Sequence, residues 1–410
     1  MKILWLSGNP SLYSQHRVGY NNGGWIGALE SIVTQRSDIE LAIAFFYNDD
    51  CFRVKINNTT YYPINLYDSK LKKIKHHLLY EFYDNIETKW IQKILVDFNP
   101  DIIHVWGTEI SFGLIGKYTD IPVVIHLQGI LNPYLNTFFG SGSRYSFINQ
   151  NGSGITKIIK NIQILRWWKH NSKREIDILQ NCKFIIGRTL WDKSVSKLLA
   201  PDSFYFYCSE VLRQPFYNTS DWQPHVHKKI IISSVLSEAS YKGLDLVLKS
   251  ANILMKYTKL EFEWNIFGVN DCFFAEKQTG LKAKNIHVIL KGIVTAEALI
   301  SELYDSDLFV HTSYIENSPN SICEAQMIGI PIIATNVGGV SSLIEDNLSG
   351  ILVPANDPYY MATQIIRIAC DHELSMKMGA NERKIAKSRH NPASILKDLI
   401  VVYDSVLNLK

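Results

Sequence analysis

The sequence contains few of the features that mark specialised protein classes. Its six cysteines are scattered and form no C-x-x-C pair. This spacing argues against a zinc site or a disulfide framework, and it favours reduced thiols in a cytosolic protein. No stretch approaches about 18 continuous apolar residues, which argues against a membrane-spanning helix. The net charge of +3 is too small to indicate nucleic-acid binding.

Two further motifs are absent, and their absence argues against other classes of protein. The first apolar run, residues 3–6, soon reaches Gly8 and Pro10, which is typical of a first β-strand rather than a signal peptide. The glycines that follow do not form G-x-G-x-x-G, and no acidic residue about 20 positions later marks a ribose site, which argues against a nicotinamide dehydrogenase. What remains is a chain of 410 residues with 46% hydrophobic and 20% charged residues. These values indicate an ordinary soluble protein of two or three domains.

Apolar runs alternate with segments of helical periodicity, and this alternation predicts parallel α/β units. In the first half, the predicted strands are residues 2–7, 40–46, 102–106, 123–127 and 184–187. In the second half, they are residues 229–233, 263–267, 287–290, 308–311 and 331–335. Each set predicts a doubly wound sheet that binds ligands at the carboxyl ends of its strands. The polar segment 217–226, which contains a proline, is the expected linker.

The segment 316–324 carries two glutamates eight positions apart around a predicted helix start. Ser318 is suited to cap that helix, with Pro319 at the first helical position, where a missing N–H has no cost. Glu324 then lies about one turn inside the helix, which is expected to end at Gly329.

The same helix start offers a site for an anion. The N–H groups of Asn320 and Ser321 are expected to be free for a ligand, because the first residues of a helix have no intrahelical partner. A sugar nucleotide has a diphosphate for these N–H groups and hydroxyls on both sides for the two carboxylates. One loop therefore suits all three parts of such a molecule.

This segment resembles the E-x7-E motif of retaining glycosyltransferases of family four, the glycosyl transferases group 1. The resemblance continues through Ala325, Gly329, Pro331, residues 334–339, Glu345 and residues 349–354. It implies that Glu316 contacts donor-sugar hydroxyls near the reaction centre. It also implies that Ser318, Asn320 and Ser321 lie at the sugar and phosphates, and that Glu324 binds the nucleotide ribose.

The resemblance also implies the α/β GT-B architecture, in which two Rossmann-like, doubly wound parallel-sheet domains face a central cleft. An acceptor-binding domain is expected at residues 1–220 and a nucleotide-sugar-binding domain at residues 221–391. A C-terminal helix, residues 392–410, is expected to cross back to the first domain.

Two further positions in the second half match the family pattern. Lys242 corresponds to the lysine that stabilises the leaving diphosphate, close to a helix N-terminus. The arginine that usually accompanies this lysine is absent, and residues 233–234 are serines instead. Arg188 or Arg213 is a conceivable substitute. Gly268 follows a strand where relatives hold the nucleotide base, although a glycine there also fits a simple turn.

In the first half, Gly23 and Gly24 match the glycine-rich loop that approaches the diphosphate or the acceptor in relatives. His126 ends a predicted strand and is expected near the donor sugar, where it either assists proton movement or orients a hydroxyl. A buried, hydrogen-bonded histidine is the alternative. Arg188 offers a bidentate partner for phosphate or an acidic acceptor, and an interdomain ion pair is the alternative.

Residues 155–174 combine helical apolar spacing with two tryptophans and six basic side chains: Lys157, Lys160, Arg166, Lys169, Lys173 and Arg174. A helix of this kind can lie on an anionic membrane, which fits a family whose members often use lipid-linked acceptors. The alternative is a helix packed on the sheet with a solvated basic face.

The implied reaction is transfer of a hexose from a nucleoside diphosphate sugar to a saccharide or lipid-linked acceptor, with retention at the anomeric carbon. Bacterial surface polysaccharide or glycolipid synthesis is the expected setting. Family analogy implies no metal and no cofactor, and no Asp-x-Asp motif follows a strand. We expect a cytoplasmic protein, peripheral at the inner face of the membrane, with no nucleic-acid partner. The alternatives are an epimerase-like enzyme of the same architecture and a non-catalytic sugar-nucleotide-binding relative.

Overall fold

The computed structural model describes residues 1–14, 24–47, 52–66, 84–149, 155–224 and 229–409. Its internal contacts divide the chain into two units. Unit 1 comprises Met1–Asn132, Leu165–Arg213 and His390–Lys410, and unit 2 comprises Pro133–Ile164 and Gln214–Arg389.

Unit 1 contains an eight-stranded sheet, in the order β3-β4-β2-β1-β5-β6-β7-β8. Its strands are β1 (Lys2–Leu6), β2 (Glu40–Phe46), β3 (Val54–Ile56), β4 (Thr59–Ile64), β5 (Ile102–Trp106), β6 (Val123–His126), β7 (Phe184–Gly187) and β8 (Phe204–Tyr207). All neighbouring pairs are parallel except β3 and β4, which form an antiparallel hairpin. The central strands are buried on both faces, which explains why they consist of nearly continuous apolar residues.

Unit 2 contains a six-stranded, all-parallel sheet, in the order β11-β10-β9-β12-β13-β14. Its strands are β9 (Ile230–Val235), β10 (Phe262–Phe267), β11 (Val288–Gly292), β12 (Leu308–His311), β13 (Ile332–Thr335) and β14 (Ile351–Val353). Trp264 and Phe309 are fully buried in this sheet.

The helices in chain order are α1 (Gly24–Val33), α2 (Asp84–Phe98), α3 (Leu131–Thr137), α4 (Arg144–Ile148), α5 (Ile155–Gln180), α6 (Leu190–Leu199), α7 (Leu244–Tyr257), α8 (Phe273–Thr279), α9 (Ala296–Tyr304), α10 (Asn320–Ile328), α11 (Pro358–Cys370), α12 (His372–Arg389) and α13 (Pro392–Asn408). Among the described residues, no helix has the length and apolar character needed to cross a bilayer. The predicted α/β class with two Rossmann-like parallel sheets is confirmed.

Four strands were not expected from the sequence: β3, β4, β8 and β14. Strand β4 contains Pro63, which cannot donate to a ladder and so argues against a strand. The short strand β3 pairs only with Thr59–Tyr61, so Pro63 lies beyond the ladder on that side. Strand β8 is only partly buried, so its residues lack the continuous apolar pattern of a central strand.

The two units differ from the predicted domains at residues 133–164 and at residues 214–220. Residues 133–164 pack in unit 2, although the sequence suggested a first domain of residues 1–220. The reason is a set of hydrogen bonds from this segment to α7 and α8, described below. Helix α13 lies in unit 1, where Tyr403 contacts Trp5 and His104. The predicted domain boundaries near residues 220 and 391 stay a prediction.

Candidate functional site

The strand order of unit 2 reverses between β9 and β12. In open α/β sheets, ligands bind at the carboxyl ends of the strands at such a point. The turn after β9 carries Lys242, and the loop after β12 carries Glu316. The topology of the sheet therefore brings two of the predicted catalytic residues to the same edge.

Glu316 lies in a dense set of polar contacts and is only 5% exposed. Its Oε1 accepts hydrogen bonds from Lys242 Nζ at 2.5 Å and from Ser313 Oγ at 2.8 Å. His311 Nε2 lies 3.7 Å from the same oxygen. The Tyr134 hydroxyl lies 3.5 Å from Oε2. The carboxylate is therefore held from several directions, and Lys242 is its closest cation.

Both members of this pair are charged near neutral pH. Burial alone would raise the pKa of Glu316, but the Lys242 ammonium and His311 lower the pKa to about 2. Burial favours neutral Lys242, yet Glu316 reverses this effect, and the net direction of the pKa of Lys242 is upward. An ionised carboxylate only accepts hydrogen bonds, so Glu316 is suited to receive the hydroxyls of a ligand.

A glycine fixes the position of Lys242. Lys242 ends the short 3-10 turn Ser240–Lys242, and Gly243 follows with a φ of 79° before α7 begins. A Cβ atom on Gly243 would lie 2.0 Å from the carbonyl oxygen of Thr312. Only glycine therefore lets the turn after β9 approach the loop after β12 this closely. Thr312 Oγ1 also donates to the carbonyl oxygen of Lys242 at 3.0 Å.

The predicted start of α10 is wrong by one residue. The helix begins at Asn320, and Pro319 takes the N-cap position with a φ of −71° and a ψ of 119°. Pro319 O accepts from the N–H of Ile322 at 3.0 Å, and Pro319 has no side chain that can cap the helix. Ser318, the predicted cap, lies one residue before the observed N-cap position and is buried, with its Oγ 3.9 Å from Cys323 Sγ. The ψ of Pro319 lies in the extended region, so Pro319 is not a helical residue and the helix starts one residue later than predicted.

The start of α10 retains the features expected of an anion site. Asn320 and Ser321 are its first two residues, where backbone N–H groups lack intrahelical acceptors. Both side chains are partly exposed. Asn320 Oδ1 is buried and has no hydrogen-bond partner among the described residues. The site therefore combines N–H donors with an acceptor that remains to be satisfied.

Glu324 and Gly268 occupy the predicted local positions. Glu324 is the fifth residue of α10 and is 5% exposed, and the helix ends at Gly329 in the left-handed conformation, as predicted. Gly268 follows β10 with a φ of 82°, and a Cβ there would lie 2.2 Å from the Leu236 carbonyl oxygen. The turn itself thus requires Gly268. The roles of Glu324 and Gly268 toward a nucleotide stay predictions.

The serines that stand in the region of the missing arginine are structural. Ser233 Oγ and Ser306 Oγ are 2.7 Å apart, and Ser234 Oγ donates to Val310 O at 2.5 Å. Trp264 Nε1 donates to Ser234 Oγ at 2.9 Å. Both serines are fully buried, so their hydroxyls serve the sheet rather than a phosphate.

Sequence reasoning missed the contribution of residues 133–149, which we call the strap. Gly140 has a φ of 58°, and a Cβ there would lie 2.8 Å from Ser240 O. Ser141 Oγ hydrogen-bonds to Asp245 of α7, and it accepts from Lys249 at 2.8 Å and from Gln278 at 2.9 Å. These contacts hold Tyr134 of the strap beside Glu316. Its glycines and serines resemble an ordinary loop, so no sequence signal marks it.

In unit 1, Gly23 lies outside the described residues, and Gly24 begins α1 with a φ of 61°. Trp25 then makes an edge contact with His126, which ends β6, with ring centroids 5.2 Å apart. Burial, His104 and Arg188 together lower the pKa of His126 well below its ordinary value. Gly24 and His126 are therefore near one another in unit 1, and their roles toward a ligand stay predictions.

Arg188 is 3% exposed and is held within unit 1. Its NH2 group donates to Gln128 O at 2.9 Å, and its NH1 lies 3.5 Å from Glu210 Oε2. The guanidinium also lies 5.0 Å from the centre of the Trp25 ring. Arg188 therefore forms an ion pair, as the alternative interpretation expected, but its partner Glu210 lies in the same unit rather than in the other domain. A role for Arg188 toward phosphate stays a prediction.

Unit 1 also has a cavity of about 340 Å³ that the sequence did not reveal. Its lining includes Asn9, Trp25, Trp106, Glu109 and Gln128. Burial raises the pKa of Glu109 to about 7. Among the described residues, the indole N–H of Trp106 has no hydrogen-bond partner. The position of Glu109 just after β5 was the available signal, because ligands bind at strand carboxyl ends.

Comparison with known proteins gives a family and a fold. Residues 218–385 match the family model described as glycosyl transferases group 1. The amylovoran biosynthesis glycosyltransferase AmsK of Erwinia amylovora is 28% identical over 152 residues, 35% of this chain and 37% of the relative. A D-inositol 3-phosphate glycosyltransferase of Corynebacterium kroppenstedtii is 33% identical over 111 residues, 27% of this chain and 24% of the relative. The matches therefore span about a third or less of the length of these curated relatives.

Solved structures resemble this chain along almost its whole length. Sucrose-phosphate synthase from Thermosynechococcus elongatus has a TM-score of 0.74 at 14% identity, with 100% of each chain covered. Anabaena HepE, solved with UDP and glucose, has a TM-score of 0.64 at 14% identity, with 99% of this chain and 100% of that chain covered. At these identities the likeness establishes the fold, which is that of GT-B glycosyltransferases. Residues 218–385 therefore match the glycosyl transferases group 1 family, and the chain has the GT-B fold.

Proposed function

We propose that this protein is a retaining glycosyltransferase that moves a hexose from a nucleoside diphosphate sugar to an acceptor hydroxyl. The observation that carries the proposal is the Glu316–Lys242 pair at the edge of the unit 2 sheet where the strand order reverses. The start of α10 adds N–H donors to this edge. Carboxylate, ammonium and helix N–H groups together match the hydroxyls and the diphosphate of a sugar nucleotide.

Each residue has a distinct role in this proposal. Lys242 and the N–H groups of Asn320 and Ser321 stabilise the charge on the departing diphosphate, and Glu316 accepts hydrogen bonds from sugar hydroxyls. Glu324, one turn into α10, binds the ribose. Catalysis then comes mainly from positioning and from electrostatic stabilisation of the leaving group, without a protein nucleophile.

The acceptor is proposed to bind in unit 1. The cavity beside Gly24 offers the faces of Trp25 and Trp106, and polar groups from Glu109 and Gln128. Aromatic faces with a few convergent polar groups are what a saccharide requires from a binding site. A saccharide or lipid-linked saccharide is therefore the proposed acceptor, and the relative that makes amylovoran suggests bacterial surface polysaccharide synthesis as the setting.

Contact with a membrane surface is part of the same proposal. On α5, Ile159 is 49% exposed and Ile162 is 38% exposed, and Lys160 and Arg166 are exposed beside them. Exposed apolar side chains flanked by cations suit an anionic bilayer. Arg174 does not take part, because it pairs with Asp84 at 2.8 Å. We accordingly propose a cytoplasmic protein, peripheral at the inner face of the membrane.

A vesicle assay tests this contact. The protein with Lys160→Glu should sediment less with vesicles that contain anionic lipid, and high salt should release the wild type. Lys193→Glu, at an exposed position of α6, is the matched control and should sediment like the wild type. Equal sedimentation with neutral and anionic vesicles contradicts the proposal.

The function itself is tested by a panel of nucleoside diphosphate sugars. We expect one donor to raise the melting temperature, and the same donor with an acceptor extract should give an acceptor-linked product with the anomeric configuration of the donor. UDP-glucose is the first probe. Release of nucleoside diphosphate without a linked product favours an epimerase-like enzyme. Donor binding without turnover favours a non-catalytic relative, and no binding by any donor contradicts all three.

A further inference from the structure

Four aromatic side chains share one face of the unit 1 sheet: Trp5, His104, Trp106 and His126. Along β5, His104 and Trp106 are two residues apart and therefore point to the same side. Trp5 of β1 is in register with His104, and Trp106 is in register with His126 of β6. The rings of Trp106 and His126 stack with centroids 4.8 Å apart. This face is therefore a continuous layer of rings.

A chain of hydrogen bonds runs through this layer from the C-terminal helix. Trp5 Nε1 donates to the Tyr403 hydroxyl of α13 at 3.1 Å. The same hydroxyl lies 2.6 Å from His104 Nδ1. His104 Nε2 lies 3.2 Å from His126 Nδ1. All four side chains are fully buried, so water does not compete for these groups.

The proton positions follow from the chemistry of the first member. An indole N–H can only donate, so the Tyr403 oxygen accepts from Trp5 and its own hydrogen remains to be placed. Among the described residues, the available acceptor for this hydrogen is His104 Nδ1. His104 then carries its proton on Nε2 and donates it to His126 Nδ1. His126, as an acceptor at Nδ1, must carry its own proton on Nε2.

The opposite arrangement leaves a buried group unsatisfied. If His104 Nδ1 carried the proton and donated to Tyr403, the buried hydroxyl hydrogen of Tyr403 would have no acceptor in the part of the chain that the structure describes. In the favoured arrangement, the chain ends in one unpartnered donor, since His126 Nε2 is buried and has no hydrogen-bond partner among the described residues. Unpaired buried groups are rare and often mark a place that a ligand completes.

We infer that Trp5, Tyr403 and His104 are positioning residues that fix His126 as its Nε2–H tautomer, so that His126 offers a hydrogen-bond donor to an oxygen of the sugar substrate. The identity of the ligand rests on the proposed function, whereas the tautomer does not. The sequence left two roles open for His126, proton transfer and orientation of a hydroxyl. The hydrogen-bond chain selects the second, because Nε2 has no free lone pair to take up a proton.

The charge state of the two histidines agrees with this assignment. Burial lowers the pKa of His104 to about 3. Burial, followed by the neighbouring His104 and Arg188, lowers the pKa of His126 well below its ordinary value. Both rings are therefore neutral near neutral pH, and each carries one proton.

The test is nitrogen NMR on the full-length protein labelled at histidine, because the two ring nitrogens of each tautomer have distinct shifts. The spectra of His126→Gln and His104→Gln assign the signals. We expect wild-type His104 and His126 to show a protonated Nε2 and an unprotonated Nδ1, without titration from about pH 6 to 9. A protonated Nδ1 on His126, or a doubly protonated ring in this range, overturns the inference. If one of these variants does not fold, the coupling between the two rings across the His104 Nε2–His126 Nδ1 hydrogen bond identifies their signals in the wild-type spectrum.

The Tyr403→Phe variant tests whether the Tyr403 hydroxyl determines the tautomers of His104 and His126. Loss of the hydroxyl removes the donor that fixes His104, so we expect the His126 signals to shift toward a mixture of tautomers. Tyr62→Phe is the matched control, because Tyr62 is also fully buried in unit 1 but its hydroxyl pairs with Asp97. An unchanged tautomer in Tyr403→Phe contradicts the role of Tyr403, as does an equal change in Tyr62→Phe.

Activity provides a second readout that separates donation from proton transfer. His126→Gln keeps an N–H donor, whereas His126→Leu has none. We expect His126→Gln to retain transfer within about ten-fold of the wild type and His126→Leu to fall at least about ten-fold further. Equal losses of transfer activity in His126→Gln and His126→Leu contradict the role of His126 as a hydrogen-bond donor. If the wild type transfers no sugar at all, the proposed function fails, and the NMR result still decides the tautomer.

Discussion

Glu316 is the residue on which the site in unit 2 depends. A buried carboxyl group ordinarily resists ionisation, and here Lys242 and His311 overcome the effect of burial. The sequence predicted that Glu316 and Lys242 belong to one site, since both fall in recognisable family patterns. It did not predict that the two form an ion pair. In the proposed function, a donor substrate shares or replaces this contact.

The ion pair makes stability depend on pH in a defined window. The pKa of Glu316 falls from the ordinary 4.5 to about 2 on folding, so its contribution is full above about pH 4.5 and is lost as the pH falls toward 2. We expect Glu316→Gln to reduce the free energy of unfolding by up to about 3 kcal/mol near pH 7 and by clearly less near pH 3.5. Urea unfolding at both pH values measures this. Glu297→Gln, at an exposed position of α9, should change little at either pH, and an equal loss for Glu316→Gln at both pH values contradicts the assignment.

Other residues show which features of the site could not be predicted from the sequence. Ser318 matched a capping pattern, but Pro319 has an extended ψ of 119° and takes the N-cap position itself, so the helix starts at Asn320. Tyr134 approaches Glu316 through contacts between segments far apart in the chain, and no local pattern encodes such an approach. Arg188 was correctly placed at a strand end, yet its partner Glu210 was not predictable.

At the scale of elements, the turn after β9 depends on a backbone contact as much as on a side chain. Gly243 and Gly280 both have left-handed backbones beside a helix end, with φ of 79° and 72°. A Cβ would meet Thr312 O at 2.0 Å at the first position, whereas nothing lies within 4 Å at the second. Alanine substitutions at these two positions therefore separate the free-energy cost of a left-handed backbone from the additional cost of the close contact.

We expect Gly280→Ala to lower the free energy of unfolding by about 1 kcal/mol, the cost of the left-handed backbone alone. Gly243→Ala should cost about 2 kcal/mol more, because the turn must also move away from the loop after β12. It should weaken nucleotide binding too, since Lys242 moves with the turn. Chemical denaturation and calorimetry measure both effects. Equal costs for the two substitutions argue against the close approach.

The strap is the element that the sequence missed most completely. Ser141→Ala removes the hydroxyl that contacts Asp245, Lys249 and Gln278. We expect amide exchange to accelerate within residues 133–149 and to stay unchanged in the unit 1 sheet. Hydrogen exchange with mass spectrometry measures this, with Ser194→Ala on the exposed side of α6 as the control. Unchanged exchange in the strap shows that these contacts do not hold it.

At the scale of the whole molecule, the sequence predicted the two parallel sheets because parallel strands are buried on both faces and read as apolar runs. Strands β9, β10, β12 and β13 were found for this reason, as were β1, β2 and β5 to β7, and the edge strand β11 was found although it is only partly buried. Strands β3, β4 and β8 lack a continuous apolar run, and β14 has only three residues. The packing of residues 133–164 in unit 2 rests on long-range contacts, which local periodicity does not report.

Metal independence is a prediction about the molecule as a catalyst. In the proposed mechanism, Lys242 and the N-terminus of α10 supply the positive charge that a divalent cation can otherwise supply to a leaving diphosphate. We therefore expect the transfer rate to be unchanged by EDTA and by added Mg²⁺ or Mn²⁺. A metal-dependent glycosyltransferase assayed in the same way is the control. Loss of activity in EDTA, with recovery on addition of a metal, contradicts this prediction.

The central claim is that Glu316 binds the sugar and Lys242 binds the diphosphate. Equilibrium binding tests this claim most directly. The ligands are UDP and UDP-glucose, or the pair for the donor that the panel selects, titrated into the wild type, Glu316→Gln and Lys242→Met. We predict that Lys242→Met weakens both ligands by about ten-fold or more, because it removes a charge contact to the diphosphate. Glu316→Gln should weaken the sugar nucleotide to a similar degree and leave the diphosphate unchanged or tighter, since Lys242 is released. Wild-type affinity of both variants for both ligands would contradict the account.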